Sequence, residues 1–363
     1  MYQEPSGVWI MAYTTIDDPS AYFQTALYTG NGTSTNAITN DGNSDLQPDW
    51  LWLKARSILA DHIIFDSTRG TNKRISTNTT SVEETQAFYS SFDTDGFTLG
   101  DSNANVNQNG TTYVNWQWKA NGGTTASNTD GSITSTVQAN TTAGFSIVTY
   151  DGTGSSGATF GHGLGTVPNF IIIKNRSEVK DWAVYHSANT SAPETDALFL
   201  NLTDATIDNT GYWNDTAPTS SIITVGDNTK VNSSGEQHIA YCFKEIQGYS
   251  KFGSYTGNGN ADGSFVYTGF KPAWIMIKKT NNTSQWVLHD TTRQEFNMQT
   301  RFLQANQTAA ESTSSAADLD ILSNGFKLRS TDDAQNGNGD TFIYMAFAEH
   351  PFVSSKGVPT TAR

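Results

Sequence analysis

Pro48-Asp49-Trp50-Leu51-Trp52-Leu53-Lys54, Pro168-Asn169-Phe170-Ile171-Ile172-Ile173-Lys174 and Pro272-Ala273-Trp274-Ile275-Met276-Ile277-Lys278 are one motif written three times. Each is a proline, a short apolar run of aromatic and branched residues, and a lysine six positions after the proline. Short apolar runs bounded by turn residues read as strands. Three copies at wide, regular intervals make an internal repeat the first hypothesis for a chain of 363 residues.

Two further landmarks keep step with the first. Upstream lies an aromatic strand end running into a turn: Tyr28-Thr29-Gly30-Asn31-Gly32, Tyr150-Asp151-Gly152-Thr153-Gly154 and Tyr255-Thr256-Gly257-Asn258-Gly259. Downstream, Gly110, Gly235 and Gly339 precede the strands Tyr113–Trp118, His238–Phe243 and Phe342–Phe347. The spacings are 20, 18 and 17 from Tyr to Pro, and 62, 67 and 67 from Pro to Gly, by subtraction of these numbers. Between the second and third landmarks, Phe65-Asp66-Ser67, Tyr185-His186-Ser187 and His289-Asp290-Thr291 also align.

Each copy reads as about seven short strands with turns at regular intervals, so the expected fold is all-β, three tandem β-sandwich (jelly-roll-like) modules. The expected boundaries are an N-terminal attachment arm over 1–20, module 1 over 21–120, a Thr/Ser/Asn/Gly linker over 121–143, module 2 over 144–247, module 3 over 248–353 and a loose tail over 354–363. With almost no linker at Gln247-Gly248-Tyr249, modules 2 and 3 are expected to stack rigidly. Helix signals are few: Ser81 to Glu84 could cap a turn or two through Phe88, and Ala309 to Leu322 is a counterpart. The apolar Val8-Trp9-Ile10-Met11 is the part of the arm suited to pairing with a neighbouring chain or sheet edge.

Composition narrows the function classes. Charged residues are 15%, and aromatic residues 12% with nine Trp, so solubility rests on uncharged polar surface while apolar area suffices for packed cores. A net charge of −14 without a Lys/Arg cluster argues against nucleic acid and against anionic membrane surfaces. Cys242 alone rules out an intrachain disulfide and a Cys-based zinc site. The start Met1-Tyr2-Gln3-Glu4-Pro5 has neither a basic region nor a long apolar run, so synthesis and folding in a cytoplasm, without membrane insertion, are expected.

Chemistry is sought and mostly not met. No Gly-x-Ser-x-Gly elbow occurs, and Asp93-Thr94-Asp95-Gly96 opens like a calcium loop but reaches Ala104 where Glu is needed. No cofactor, no metal and no catalytic residue is expected. His162, in Gly161-His162-Gly163-Leu164-Gly165, is the most conspicuous candidate for a base or ligand contact, although the other copies carry no His there and a structural turn accounts for it. Trp182 and Trp213 complete the candidate ligand contacts. Trp50 with Trp52, and Trp116 with Trp118, share strand faces; a sandwich core is the plain reading and a sugar-stacking platform the sharper one. Lys54, Lys174 and Lys278 read as solvated or carbonyl-capping, with an intercopy salt bridge as the alternative.

Several stretches resemble a domain family of uncharacterised function found in virion proteins of marine bacteriophages, including cyanophages and pelagiphages. They are Trp118-Lys119-Ala120-Asn121-Gly122-Gly123, Asn128 to Asn140, Gly161-His162-Gly163-Leu164-Gly165, Gly248-Tyr249-Ser250-Lys251-Phe252-Gly253 continuing to Gly259, and Tyr344-Met345-Ala346-Phe347-Ala348-Glu349. The resemblance implies a virion surface structural protein, a tail fibre or receptor-binding protein that attaches the particle to its host, with a capsid or tail decoration or adaptor as the alternative. Its expected partners are other virion proteins, further copies of itself as a homotrimer, and a host surface glycan or protein. A glycan depolymerase or esterase is the third hypothesis, with no residues assigned to it.

Overall fold

The computed structural model describes residues 2–3, 9–10 and 12–359. The three proline-to-lysine motifs are central strands, Trp50–Ala55, Phe170–Asn175 and Phe270–Lys279, and each lies in a large antiparallel sheet. In module 1 the sheet order is Phe23–Thr29, Thr112–Trp118, Trp50–Ala55, Ile63–Asp66, Lys73–Ser76, Glu84–Thr85. Module 3 repeats it with Ser250–Thr256, Thr341–Pro351, Phe270–Lys279, Trp286–Asp290, Arg301–Gln304 and Ser312–Thr313. Module 2 has the same six positions, beginning with Phe145–Asp151 and Gln237–Phe243, and two strands more.

Each large sheet is covered on its outer face by a small one. These are Asn36–Ile38 with Gly96–Leu99 and Tyr89–Asp93, Ala158–Gly161 with Ile222–Val225, and Phe265–Tyr267 with Gly325–Leu328 and Leu319–Leu322. The chain is therefore all-β and of sandwich type.

The period-2 alternation of the central strands explains why they are apolar throughout. Leu51 and Leu53 face the small sheet of module 1, Ile171 and Ile173 that of module 2, and Ile275 and Ile277 that of module 3, giving three separate cores. The alternate residues, Trp50, Trp52, Phe170, Ile172, Trp274 and Met276, all enter a fourth core that the three modules share. Rings from different modules touch there: Trp50 and Tyr241 at 4.8 Å, Trp118 and Trp274 at 5.5 Å, Phe243 and Phe347 at 5.9 Å between centroids. The tryptophan pairs are thus neither a sugar platform nor the core of their own sandwich.

Other sequence expectations are corrected here. The stretch 121–143 is no linker: Ala126–Asn128 and Ser135–Asn140 extend the sheet of module 2 to eight strands. The β-branched residues Ile133, Thr134, Thr136 and Val137 let this polar segment act as a strand once it has an edge to pair with. No helix forms over Ser81 to Phe88, and helical structure within Ala309 to Leu322 is limited to the 3-10 turn Ser315–Ala317; Glu84–Thr85 and Ser312–Thr313 are short edge strands, each held by a neighbouring module as described below.

The arm over 1–20 is built into the fold from its middle onward. Ile16 is buried in the shared core, Thr14 donates to the Gln247 carbonyl at 2.8 Å, and Tyr13 donates to the Gly269 carbonyl at 2.8 Å. Trp9–Ile10 pairs with Tyr2–Gln3, while Val8 and Met11 lie outside the described residues. The tail is tied down as well, since Ser355 donates its backbone N–H to Asp17 at 2.6 Å.

The first and third landmarks meet physically. Gly30, Gly152 and Gly257 approach backbone so closely that a Cβ would sit 2.2 to 2.3 Å from a carbonyl oxygen of the loop before the last strand. Gly110, Gly235 and Gly339 close that loop at φ of 74°, 76° and 77°, a region that favours glycine.

Because one core joins all three modules, Trp118→Ala should destabilise the whole chain, by about 3–5 kcal/mol. Scanning calorimetry is expected to show a single transition moved to lower temperature. A melt in which module 1 unfolds by itself would contradict a shared core.

Candidate functional site

The seams between modules carry the buried polar chemistry of this chain, and they are arranged as a ring. Lys54, Lys174 and Lys278 lie on the inner face at the ends of their strands and are fully buried. Each ammonium donates to one carbonyl of its own module and one of the next: Lys54 to Ala55 at 2.9 Å and Thr308 at 3.2 Å, Lys174 to Lys180 at 2.8 Å and Thr80 at 3.2 Å, Lys278 to Ser284 at 2.9 Å and Thr203 at 3.0 Å. Module 1 thus reaches module 3, module 2 reaches module 1, and module 3 reaches module 2. This head-to-tail pattern closes after three steps.

Backbone bonds repeat the same circuit. Glu311 N–H meets the Arg56 carbonyl, Glu83 N–H the Arg176 carbonyl, and Thr206 N–H the Thr280 carbonyl, each at 2.8 Å. Eight residues beyond each lysine stand His62, Trp182 and Trp286. Trp182 donates its indole N–H to the carbonyls of Ser76 and Thr79 in module 1, at 3.0 and 3.2 Å, and Trp286 donates to Phe199 of module 2 at 2.8 Å.

Two seams are ionic and one is neutral. At the seam of modules 1 and 2, Asp66 binds the buried Arg69, Arg69 reaches Glu83 at 3.2 Å, and Glu83 takes a two-point contact from Arg176 at 2.7 and 3.0 Å. At the seam of modules 3 and 1 the counterparts are Asp290, Arg293, Glu311 and Arg56, the last pair at 3.0 and 2.9 Å. Burial opposes the charged form of Glu83, but Arg176 and Arg69 outweigh it and hold its carboxyl below the usual range.

The third seam replaces Asp with His186, Arg with Asn189, Glu with Thr206 and Arg with Thr280. Thr206 donates its hydroxyl to Asn189 at 2.9 Å. The partner of the first group changes in concert. Asp66 accepts from the Tyr241 hydroxyl at 2.8 Å and Asp290 from the Trp116 indole at 3.0 Å, whereas the equivalent position in module 3 is Met345, which has no donor. There His186 faces the Tyr344 carbonyl at 3.1 Å and accepts the Ala188 N–H at 3.0 Å. Burial pushes its pKa down to about 4, so the ring is neutral and Nε2 carries the donated proton.

At the far side of the strands a second set of three recurs. Asn107, Asn232 and Asn336 are buried, each three positions before the landmark glycine. Their carboxamides accept from the backbone N–H of Asn31, Thr153 and Asn258 at 3.0, 2.7 and 3.0 Å, and donate to carbonyls of the same loops. Each one pins a loop that a sequence rich in Asn, Gly and Thr would otherwise leave mobile. The constant offsets of this trio from the landmark glycine, and of His62, Trp182 and Trp286 from the repeated lysine, are readable in the spacing.

The candidate ligand contacts are not at the surface. His162 is buried; it accepts the Leu164 N–H at Nδ1 and faces the Thr219 carbonyl at 3.2 Å, and burial lowers its pKa. Trp182 is spent in a seam, and Trp213 is buried with its indole N–H on the Asp196 carbonyl at 2.8 Å. Their polarity serves neighbouring backbone, which explains how such groups are tolerated inside. Asp93 to Gly96 form a hairpin turn, with Asp93 accepting from Ser91 and Thr98. Among the described residues no group of His, Cys, Asp and Glu is placed to hold a metal, and no helix is long and apolar enough to cross a membrane.

Strand direction gives the ring two distinct ends. The chain enters at Phe23, which pairs with Trp118 and through it with Trp50, and it leaves near Pro351, which pairs with Phe270, so the points where the chain enters and leaves the sheets lie at one end. The lysine ends of the central strands, their hairpin turns and the Asn-pinned loops lie at the other. Leu59 and Val179, at matching places in two of those turns, are 75% and 66% exposed.

Burial pushes the pKa of Lys54, Lys174 and Lys278 down to about 8 each. A neutral amine still has two N–H donors for its two carbonyls. Above pH 8 the folded chain therefore releases protons that the unfolded chain keeps until about pH 10.4, and stability contributed by these lysines rises across that interval. Burial holds the Cys242 thiol up at about 12, which works in the opposite sense above about pH 8.5. Urea midpoints of the wild-type chain measured against Lys174→Met from pH 7.5 to 9.5 isolate the lysine. The difference between the two should widen in favour of the wild type, and a constant difference would mean that Lys174 does not titrate there.

A family model described as "Domain of unknown function (DUF7483)" matches residues 18–351, a span that takes in all three modules. No curated protein and no solved structure matches the chain.

Proposed function

We propose a particle-surface role for this chain, which belongs to the family described as a domain of unknown function, DUF7483: a virion structural protein of the tail-fibre or receptor-binding kind, joined to the particle through the end at which the chain enters and leaves the sheets. The supporting observation is the polarity of the ring. The chain enters and leaves the sheets at one end, and at the other three sets of hairpin turns and Asn-pinned loops form a crown whose geometry the shared core makes rigid. Rigid display of loops on a packed scaffold is how binding surfaces are commonly built.

The crown is suited to neutral glycans or to protein. Its loops are mostly Asn, Gly, Ser and Thr, which offer donors and acceptors without charge, and Leu59 and Val179 add small apolar contacts. The net charge of −14 disfavours phosphate-rich partners. Five of the six histidines are buried, and those at 62, 162, 186, 238 and 289 direct ring nitrogens at hydrogen-bond partners of the frame. One chain already supplies the threefold arrangement that fibre heads otherwise reach by trimerisation, so other particle proteins, rather than further copies, are the proposed partners of the end opposite the crown.

Fluorescently labelled protein should bind cells of a susceptible marine bacterium saturably and block adsorption of a phage carrying it. Leu59→Asp combined with Val179→Asp should weaken that binding about tenfold or more, a loss of roughly 1.4 kcal/mol, without moving the melting temperature. Folded protein that binds no such cells would favour the decoration or adaptor role instead.

A further inference from the structure

The three seams have equivalent grooves beside the first strand of each large sheet, and each is filled differently. At the seam of modules 2 and 1 the groove holds the strand Ser135–Asn140, which pairs with Phe145–Thr149. Its Gln138 is fully buried; it donates to Ser67 and Thr68 of module 1 at 3.0 and 2.8 Å and accepts from the Gly123 N–H at 2.9 Å. At the seam of modules 3 and 2 the edge residue is Phe252, whose ring stacks on Phe170 at 5.9 Å and fills the space itself.

At the seam of modules 1 and 3 neither filler is present. The residue equivalent to Ile147 and Phe252 is Thr25, and the one equivalent to Asp49 and Asn169 is Ala273. Both are small, and they leave a cavity of about 490 Å³ lined also by Phe23, Thr291, Thr292 and Ala348. Thr291 and Thr292 stand where Ser67 and Thr68 receive Gln138. Thr25 is only 9% exposed, and its hydroxyl has no hydrogen-bond partner. Among the described residues no strand pairs with the outer edge of Phe23–Thr29, and Leu27 and Thr29 along it are exposed.

We infer that this groove is the docking site for an extended segment of another polypeptide. The segment adds one strand to the sheet of module 1, antiparallel to Phe23–Thr29, and inserts one uncharged polar side chain of the Gln, Asn or Thr type against Thr25, Thr291 and Thr292. The chain's own strand in the equivalent groove identifies the occupant: an extended backbone for the free edge, and an amide side chain for the hydroxyls. Asp41 and Glu295, exposed beside the groove, select against an acidic segment. Strand addition to an open edge, with a side-chain pocket for specificity, is an established mode of peptide recognition.

The probe is a fluorescein-labelled peptide with the sequence of residues 134–141, Thr-Ser-Thr-Val-Gln-Ala-Asn-Thr, titrated with the full-length chain and read by fluorescence anisotropy. Saturable binding is expected. It should weaken about tenfold when the peptide's Gln is replaced by Ala, a change worth roughly one hydrogen bond, and severalfold in Thr25→Val, which keeps the shape of the side chain. It should be lost in Ala273→Phe, which fills the cavity. Hydrogen exchange should show new protection at the amides of Thr25 and Leu27. No binding at millimolar peptide, or binding indifferent to Thr25→Val and Ala273→Phe in chains that keep the wild-type melt, overturns the inference. So does sedimentation showing that the chain self-associates through this groove and that Ala273→Phe makes it monomeric.

Discussion

The inward face of the three central strands is the constraint on which the rest of this structure depends. Trp50, Trp52, Phe170, Ile172, Trp274 and Met276 cannot be covered by the sandwich to which their strands belong, because the opposite face of each sheet already packs against its small partner sheet. They can leave water only against one another. Three modules that each bury one face and leave another apolar must therefore close around a common axis, and a chain with three copies can do so without a second molecule. Stability here is collective, since no module can be removed without exposing aromatic surface on the other two.

Closing such a ring creates a second requirement. Strand ends and loop carbonyls are drawn inside at every seam and need hydrogen-bond partners. The repeated lysine meets it with a flexible donor that spans two modules. The Asp–Arg–Glu–Arg chains do the same with charge at two seams, and at the third the same four positions are uncharged. His186 and Met345 show that the substitutions are coupled: where the donor of one module has become a thioether, the acceptor of its neighbour has become a donor to backbone. Buried charge is costly when a partner is lost, so these positions vary in matched sets.

The copies diverge most at the grooves beside the first strands. A shared frame fixes the space at all three, and the side chain at the position of Thr25, Ile147 and Phe252 decides whether that space is taken by the strand's own residue, by a segment of the chain, or by neither. Divergence at a position that does not support the frame is how a repeated fold acquires a site in one copy alone. The polar crown and the opposite face are set apart by strand direction, which gives a single-chain ring two chemically different ends.

Much of this was legible before any coordinates. The repeat, its strands and their turn glycines follow from spacing and period, because strand alternation and the φ demands of tight turns are local properties of the chain. The sequence also shows that both faces of the central strands are apolar, and Asn107, Asn232 and Asn336 hold a constant offset that marks them as structural. What sequence could not decide is which surface covers each face. Trp50 and Leu51 look alike as apolar residues, yet one packs between modules and the other within a module, a distinction made by contacts more than a hundred residues apart. The same holds for the stretch 121–143, whose polar composition reads as a linker until an open sheet edge gives it a partner. It holds for His162, Trp182 and Trp213, whose polar atoms face backbone brought near only by folding. Local preference fixed the elements and their turns; the ring, its seams and its open groove arose from the need to bury the second face of each sheet.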